Sequence, residues 1–108
     1  MITSERPMLA GVLALACTLA GAAEPAQLSV QAGCSACHAP DRKLVGPSWK
    51  DVAARYKGQA GAMAQMIERV RKGSNGVWGA VPMVPVPPKT LNDSDLKAVL
   101  AWVLQTPT

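Results

Sequence analysis

The sequence predicts a small all-α fold of about four helices, and three observations carry that prediction. Apolar residues recur at i, i+3, i+4 and i+7 in three separate segments. Those segments are bounded by residues that start or stop helices. The one valine-rich stretch, with Val77, Val81, Val84 and Val86, is broken by Pro82, Pro85, Pro87 and Pro88, which lack the N–H a sheet ladder needs and fix φ. At 108 residues, 49% apolar and 17% charged, the composition is that of one globular domain, which excludes a large multidomain enzyme and a polytopic membrane protein. Aromatic residues are only 4%, with no Phe. A core this small needs a staple such as a metal, a cofactor or disulfides.

The first element is an address. Residues 1–6 are polar and include Arg6, and Met8 to Ala22 form an apolar run of about 15 residues, short of the ~20 a spanning helix needs. Small residues follow at Ala20, Gly21, Ala22 and Ala23. Residues 1–23 therefore read as a secretory signal peptide cleaved near Ala22 or Ala23, leaving a domain over 24–108. An uncleaved anchor is one rival. Lipid attachment at Cys17 is another, although Ala14 stands where a bulky aliphatic residue is expected. Cleavage removes Arg6 and Glu5, so ten basic and six acidic residues keep the net charge at +4. Export places thiols where they oxidise unless something else uses them.

A short helix is expected between Glu24 and Gly33, around Leu28. Trp49, Val52, Ala53 and Tyr56 form the stripe of the next helix, opened by Pro47 and Ser48 and stopped by Gly58. Met63, Met66, Ile67 and Val70 form the third stripe, with Arg69, Arg71 and Lys72 loading its last turn and Gly73 ending it. The fourth is Leu96, Val99, Leu100 and Val103, opened by Asn92, Asp93 and Asp95. Between Gly73 and Asn92 the prolines predict an extended loop, and one this long in so small a domain is normally functional.

The chemistry concentrates in Cys34-Ser35-Ala36-Cys37-His38. C-x-x-C-H is the pattern of covalent c-type haem attachment: two thiols three residues apart each reach one vinyl group, and the adjacent histidine falls beneath the iron. Past residue 23 these are the only cysteines and the only histidine. A thioredoxin-like disulfide wants a βαβ pattern that is missing here, and a closed zinc site wants four ligands where three exist. Chance occurrence would leave two idle thiols in an oxidising compartment. For the sixth iron position the candidates are methionine, water or an external ligand. Met63 and Met66 lie on a helical core stripe, whereas Met83 sits in Val81-Pro82-Met83-Val84-Pro85, where stiff flanks lower the entropy lost on fixing one side chain. Met83 is the preferred ligand. The alternative is an open site, with Met83 an incidental loop residue.

With these pieces in place the sequence resembles the short class I cytochromes c of bacterial periplasms, electron carriers of respiration and denitrification. The resemblance rests on Gly33-Cys-Ser-Ala-Cys-His38, Leu44-Val-Gly-Pro47, Lys50-Asp-Val-Ala-Ala-Arg55, Gly58-Gln-Ala-Gly61, Gly73-Ser-Asn-Gly-Val-Trp-Gly79, Val81-Pro-Met83 and Ala101-Trp-Val-Leu104. It implies a small cytochrome c fold wrapped around one covalent haem c, with Cys34 and Cys37 as attachment points and His38 and Met83 as axial iron ligands. It further implies that the Pro47 carbonyl fixes the His38 ring and that Trp78 and Arg55 approach the haem propionates. The N- and C-terminal helices would pack together, with Leu28 and Val30 on the contact and Trp102 near it or near the haem edge. Two departures stand out. The stretch after Met83 is about three residues longer than in the family, and Lys89 stands near the place of an asparagine that commonly hydrogen-bonds the methionine sulfur.

The implied function is periplasmic one-electron transfer, with no bond chemistry on a substrate, by a monomer that does not stably insert into a membrane. The alternative is a haem sensor or peroxidase-like module with an open sixth position. Lys43, Lys50, Arg55, Lys57, Arg69, Arg71 and Lys72 are candidates for a basic face near the haem edge that docks redox protein partners. No compact basic run with interleaved aromatics supports nucleic-acid binding.

Overall fold

The computed structural model describes residues 3–14 and 23–108. Most of the predicted signal peptide's small-residue end, with Cys17 and the expected cleavage site at Ala22, lies outside the described residues. Residues 3–14 are exposed and carry no helix or strand, and among the described residues no helix is long and apolar enough to cross a membrane.

Four α-helices follow: α1 Pro25–Gln31, α2 Trp49–Tyr56, α3 Ala62–Lys72 and α4 Asp93–Leu104, with a single 3-10 turn at Cys34–Ala36 between the first two. This is the all-α class that the apolar spacing predicts. Proline at the start of α1 costs no helical hydrogen bond, because the first-turn N–H groups have no partner in the helix. α2 and α4 each begin on a side-chain cap. The Asp51 N–H donates to Ser48 Oγ at 3.0 Å, and the Asp95 N–H donates to Asn92 Oδ1 at 2.8 Å. Gly58 and Gly73 take positive φ, 77° and 74°, just beyond α2 and α3, where a side chain would strain the backbone.

α4 is the hub, packing against α1, α2 and α3. Its stripe of Leu96, Val99, Leu100 and Val103 is 1–6% exposed, and Val52, Tyr56, Ala62, Met66 and Leu91 close the core around it. α1 supplies Leu28 to that core but not Val30, which is 59% exposed. Two positions along an α-helix differ by about 200°, so Leu28 and Val30 cannot share a face. Ser29 is buried instead, its hydroxyl donating to the Ala26 carbonyl at 2.7 Å. Trp102 is half-buried and meets Trp49 edge-on, with ring centroids 6.0 Å apart.

The segment from Gly73 to Asn92 is irregular, as its prolines require. Its one ladder contact joins Ser74 to Met83: the Met83 N–H donates to the Ser74 carbonyl at 2.8 Å and the Ser74 N–H to the Met83 carbonyl at 3.1 Å.

Candidate functional site

The core does not close completely. Between α4 and the two long connections lies a cavity of about 470 Å³, within the range of cofactor pockets. Cys34, Cys37, His38, Trp78, Arg69 and Met83 all line it, with core residues such as Leu96 and Leu100 on its apolar wall. Residues 45 positions apart in sequence, His38 and Met83, thus meet one hollow.

Each polar side chain is aimed by local structure. Gly33, with φ 86°, turns the chain out of α1 and into the 3-10 turn that carries Cys34. The His38 N–H then donates to the Cys34 carbonyl at 2.9 Å. Both thiols are half-buried and unbridged. Burial pushes the Cys34 thiol above its ordinary pKa; its own backbone hydrogen bond offsets part of the rise, and the charge of neighbouring Cys37 adds to it.

The His38 ring is held on three sides. Its Nδ1 lies 2.6 Å from the Pro47 carbonyl. A carbonyl only accepts, so Nδ1 carries the proton and Nε2 keeps its lone pair for a metal. Trp49 stacks on the ring at 4.4 Å, with the planes 17° apart. Gly46 closes the remaining side: a Cβ there would sit 2.6 Å from His38 Cε1. Gly46→Ala is expected to displace the imidazole and cost about 1–3 kcal/mol, the usual range for forcing a methyl into a packed site. A lower denaturation midpoint, with a disturbed axial-ligand spectrum, checks it.

Trp78 is half-buried on the cavity wall. Arg55 is exposed and does not line the cavity: its guanidinium lies 4.5 Å over the Trp78 ring, and Nη1 donates to the Val77 carbonyl at 2.9 Å. Arg55 thus reaches the site through Trp78. The expected basic face is thinner than the sequence alone suggests. Lys57 donates to the Thr106 carbonyl, Arg71 pairs with Asp93, and Lys72 pairs with Glu68. Lys43 stands exposed on the cavity rim.

Two participants escape the sequence reading. Trp49 belongs to a helical core stripe, and nothing in its spacing marks it as the platform under His38. Arg69 belongs to a cationic helix end, yet it lines the cavity, and its Nε is buried without a hydrogen-bond partner. The available signal was its position three residues after buried Met66, on the same helix face.

These features test the haem that C-x-x-C-H implies, and the residues fit it. Two thiols, one imidazole with a free Nε2 and two methionines, Met66 and Met83, line a largely hydrocarbon hollow. The buried, unpartnered Nε of Arg69 would suit an anion such as a haem propionate. Filling the hollow with a largely apolar group would bury its walls and complete the core, a large contribution in a domain this small.

The comparisons with known proteins agree. The cytochrome c family model matches residues 22–107. The sequence is 55% identical to cytochrome c2 of Rubrivivax gelatinosus over 85 residues, which cover 79% of this chain and all of that protein. It is 48% identical over 85 residues to cytochrome c-551 of Pseudomonas aeruginosa, covering 79% of each. The fold is similar to the crystal structure of wild-type Nitrosomonas europaea cytochrome c552, with a TM-score of 0.67 and 38% identity over 76% of this chain and 99% of that one.

Proposed function

The chain belongs to the cytochrome c family, in its small bacterial class I form, and from that premise we propose that it is a periplasmic electron carrier in which His38 and Met83 are the two axial ligands of one haem c held by Cys34 and Cys37. The observation that carries the proposal is the convergence of these four side chains on one cavity, with the His38 lone pair already directed by Pro47. When bound, the haem supplies a one-electron couple between Fe(III) and Fe(II).

The protein's part is to hold, insulate and tune. Cys34 and Cys37 keep the group from dissociating. Pro47 strengthens His38 as a donor by polarising its Nδ1–H. Met83, a soft neutral thioether, favours the ferrous state, as do the apolar walls, so the potential is positive. Two permanent protein ligands leave no coordination position for oxygen or peroxide, which separates a carrier from a sensor or peroxidase-like module. Arg69 offers its unpartnered Nε to a propionate. Trp78, braced by Arg55, offers an indole N–H at the same wall. Lys43 at the rim favours acidic patches on redox protein partners of respiration or denitrification, with rates that fall as salt rises. The leader over residues 1–23 delivers a monomer of residues 24–108 to the periplasm.

One preparation tests this reading. Intact mass of the exported protein is expected to equal residues 24–108 plus one haem, and the ferrous protein is expected not to bind carbon monoxide at neutral pH. Ready carbon monoxide binding by the wild type favours the open-site reading and overturns the carrier.

A further inference from the structure

The loop beyond Met83 is long, rich in proline and poor in donors, yet it is pinned at one place. The Val86 N–H donates to the Val70 carbonyl at 2.8 Å, and the Val86 carbonyl accepts from Arg71 Nη1 at 3.1 Å. The other arm of the same guanidinium, Nη2, holds Asp93 Oδ1 at 2.7 Å, at the first residue of α4. The Arg71 side chain is 16% exposed and Asp93 81%. Arg71 therefore ties three things together: the last turn of α3, the loop three residues beyond Met83, and the start of α4.

The geometry around Met83 makes that tie consequential. On its N-terminal side Met83 is fixed by the two backbone hydrogen bonds to Ser74 and by close approach to Gly73, where a Cβ would meet the Met83 carbonyl at 2.5 Å. On its C-terminal side Pro85, Pro87 and Pro88 have no N–H to give. Pro85 packs against Gly73, Val86 is the next residue hydrogen-bonded to another element, and Arg71 is the only side chain hydrogen-bonded to it among the described residues. A planar guanidinium satisfies two acceptors from one fixed plane; an ammonium does so poorly.

We propose that Arg71 is a positioning residue for the distal ligand: by clamping the Val86 carbonyl to Asp93 it closes the lengthened loop into a fixed chord and sets how tightly Met83 is held on the iron. The proposal rests on Met83 being the sixth ligand. Its consequence is a ligand-exchange equilibrium. A hydrogen bond from a charged donor contributes about ten- to a hundredfold in an equilibrium constant, and here that factor opposes release of the methionine. The exposed ion pair with Asp93 contributes less, because solvent screens it.

The test uses the holoprotein and titrates the ferric form with imidazole, following the long-wavelength methionine–iron band. Arg71→Gln is expected to raise the apparent imidazole affinity about ten- to a hundredfold, Arg71→Lys less than Arg71→Gln, and Asp93→Asn by no more than about threefold. Leu28→Ala, on α1 and outside the cavity lining, is the control for lost stability. Wild-type affinity in Arg71→Gln overturns the proposal, and so does an equal rise in Leu28→Ala. A wild type that lacks the band and takes imidazole freely instead overturns Met83 as ligand, so the two failures are distinguishable.

Discussion

Serine at both Cys34 and Cys37 is expected to yield a chain that carries no covalently bound haem and does not keep its helical fold. The two thiols are the only groups on the cavity wall that form thioethers, and a hydroxyl has neither the nucleophilicity nor the softness to replace them. The structural consequence follows from the size of the hollow. α4 faces it with Leu96, Val99, Leu100 and Val103, and the same residues are the core against which the other helices pack. A group that completes the core is not a refinement in a domain whose total stability is about 5–15 kcal/mol. The double variant is therefore expected to lack the haem mass and the haem stain on a denaturing gel, and to lose most of its far-ultraviolet helix signal. Either single substitution leaves one thioether and keeps colour on the gel. Colour in the double variant after acid–acetone extraction would contradict Cys34 and Cys37 as the attachment points.

The helices and the attachment motif were legible in the sequence for the same physical reason: both are written in local spacing. Ser48 and Asn92 cap their helices because an N-cap needs only a short oxygen-bearing side chain two or three residues ahead of a free N–H. The stripe of α4 is buried as its period requires. What local spacing does not carry is which charged residues turn inward. Arg69 and Arg71 sit two apart at one cationic helix end, and the sequence treats them alike. The fold sends one into the cavity wall and the other to the loop beyond Met83, because α3 lies with Met66 on the core and its last turn against that loop. Trp49 is the same case: its stripe predicts burial, and only the return of the chain through Gly46 and Pro47 brings His38 over its ring. Val30 shows the opposite error, an apolar residue assigned to a contact that helical geometry denies it.

Met83→Ala is expected to leave the fold largely intact and to change the redox chemistry sharply. The bonds that fix this part of the loop to Ser74 are made by the backbone of residue 83, so alanine keeps them. Only the thioether goes. A neutral soft ligand favours the ferrous state, and water or hydroxide in its place favours the ferric state, so the potential falls. A drop well beyond ~60 mV is expected, since that is the increment a tenfold change in relative ligand affinity makes in a one-electron couple. The long-wavelength ferric band is expected to vanish and carbon monoxide to bind the ferrous variant readily. The cavity contains a second thioether, on a core stripe of the sequence: Met66, only 4% exposed, also lines it from α3. Met66→Leu separates the two assignments, because leucine nearly conserves volume and lacks sulfur. If Met83 is the ligand, Met66→Leu keeps the band and most of the potential while Met83→Ala loses both. The reverse pattern would move the axial bond to a rigid helix and leave the proline-flanked loop as a mere cover.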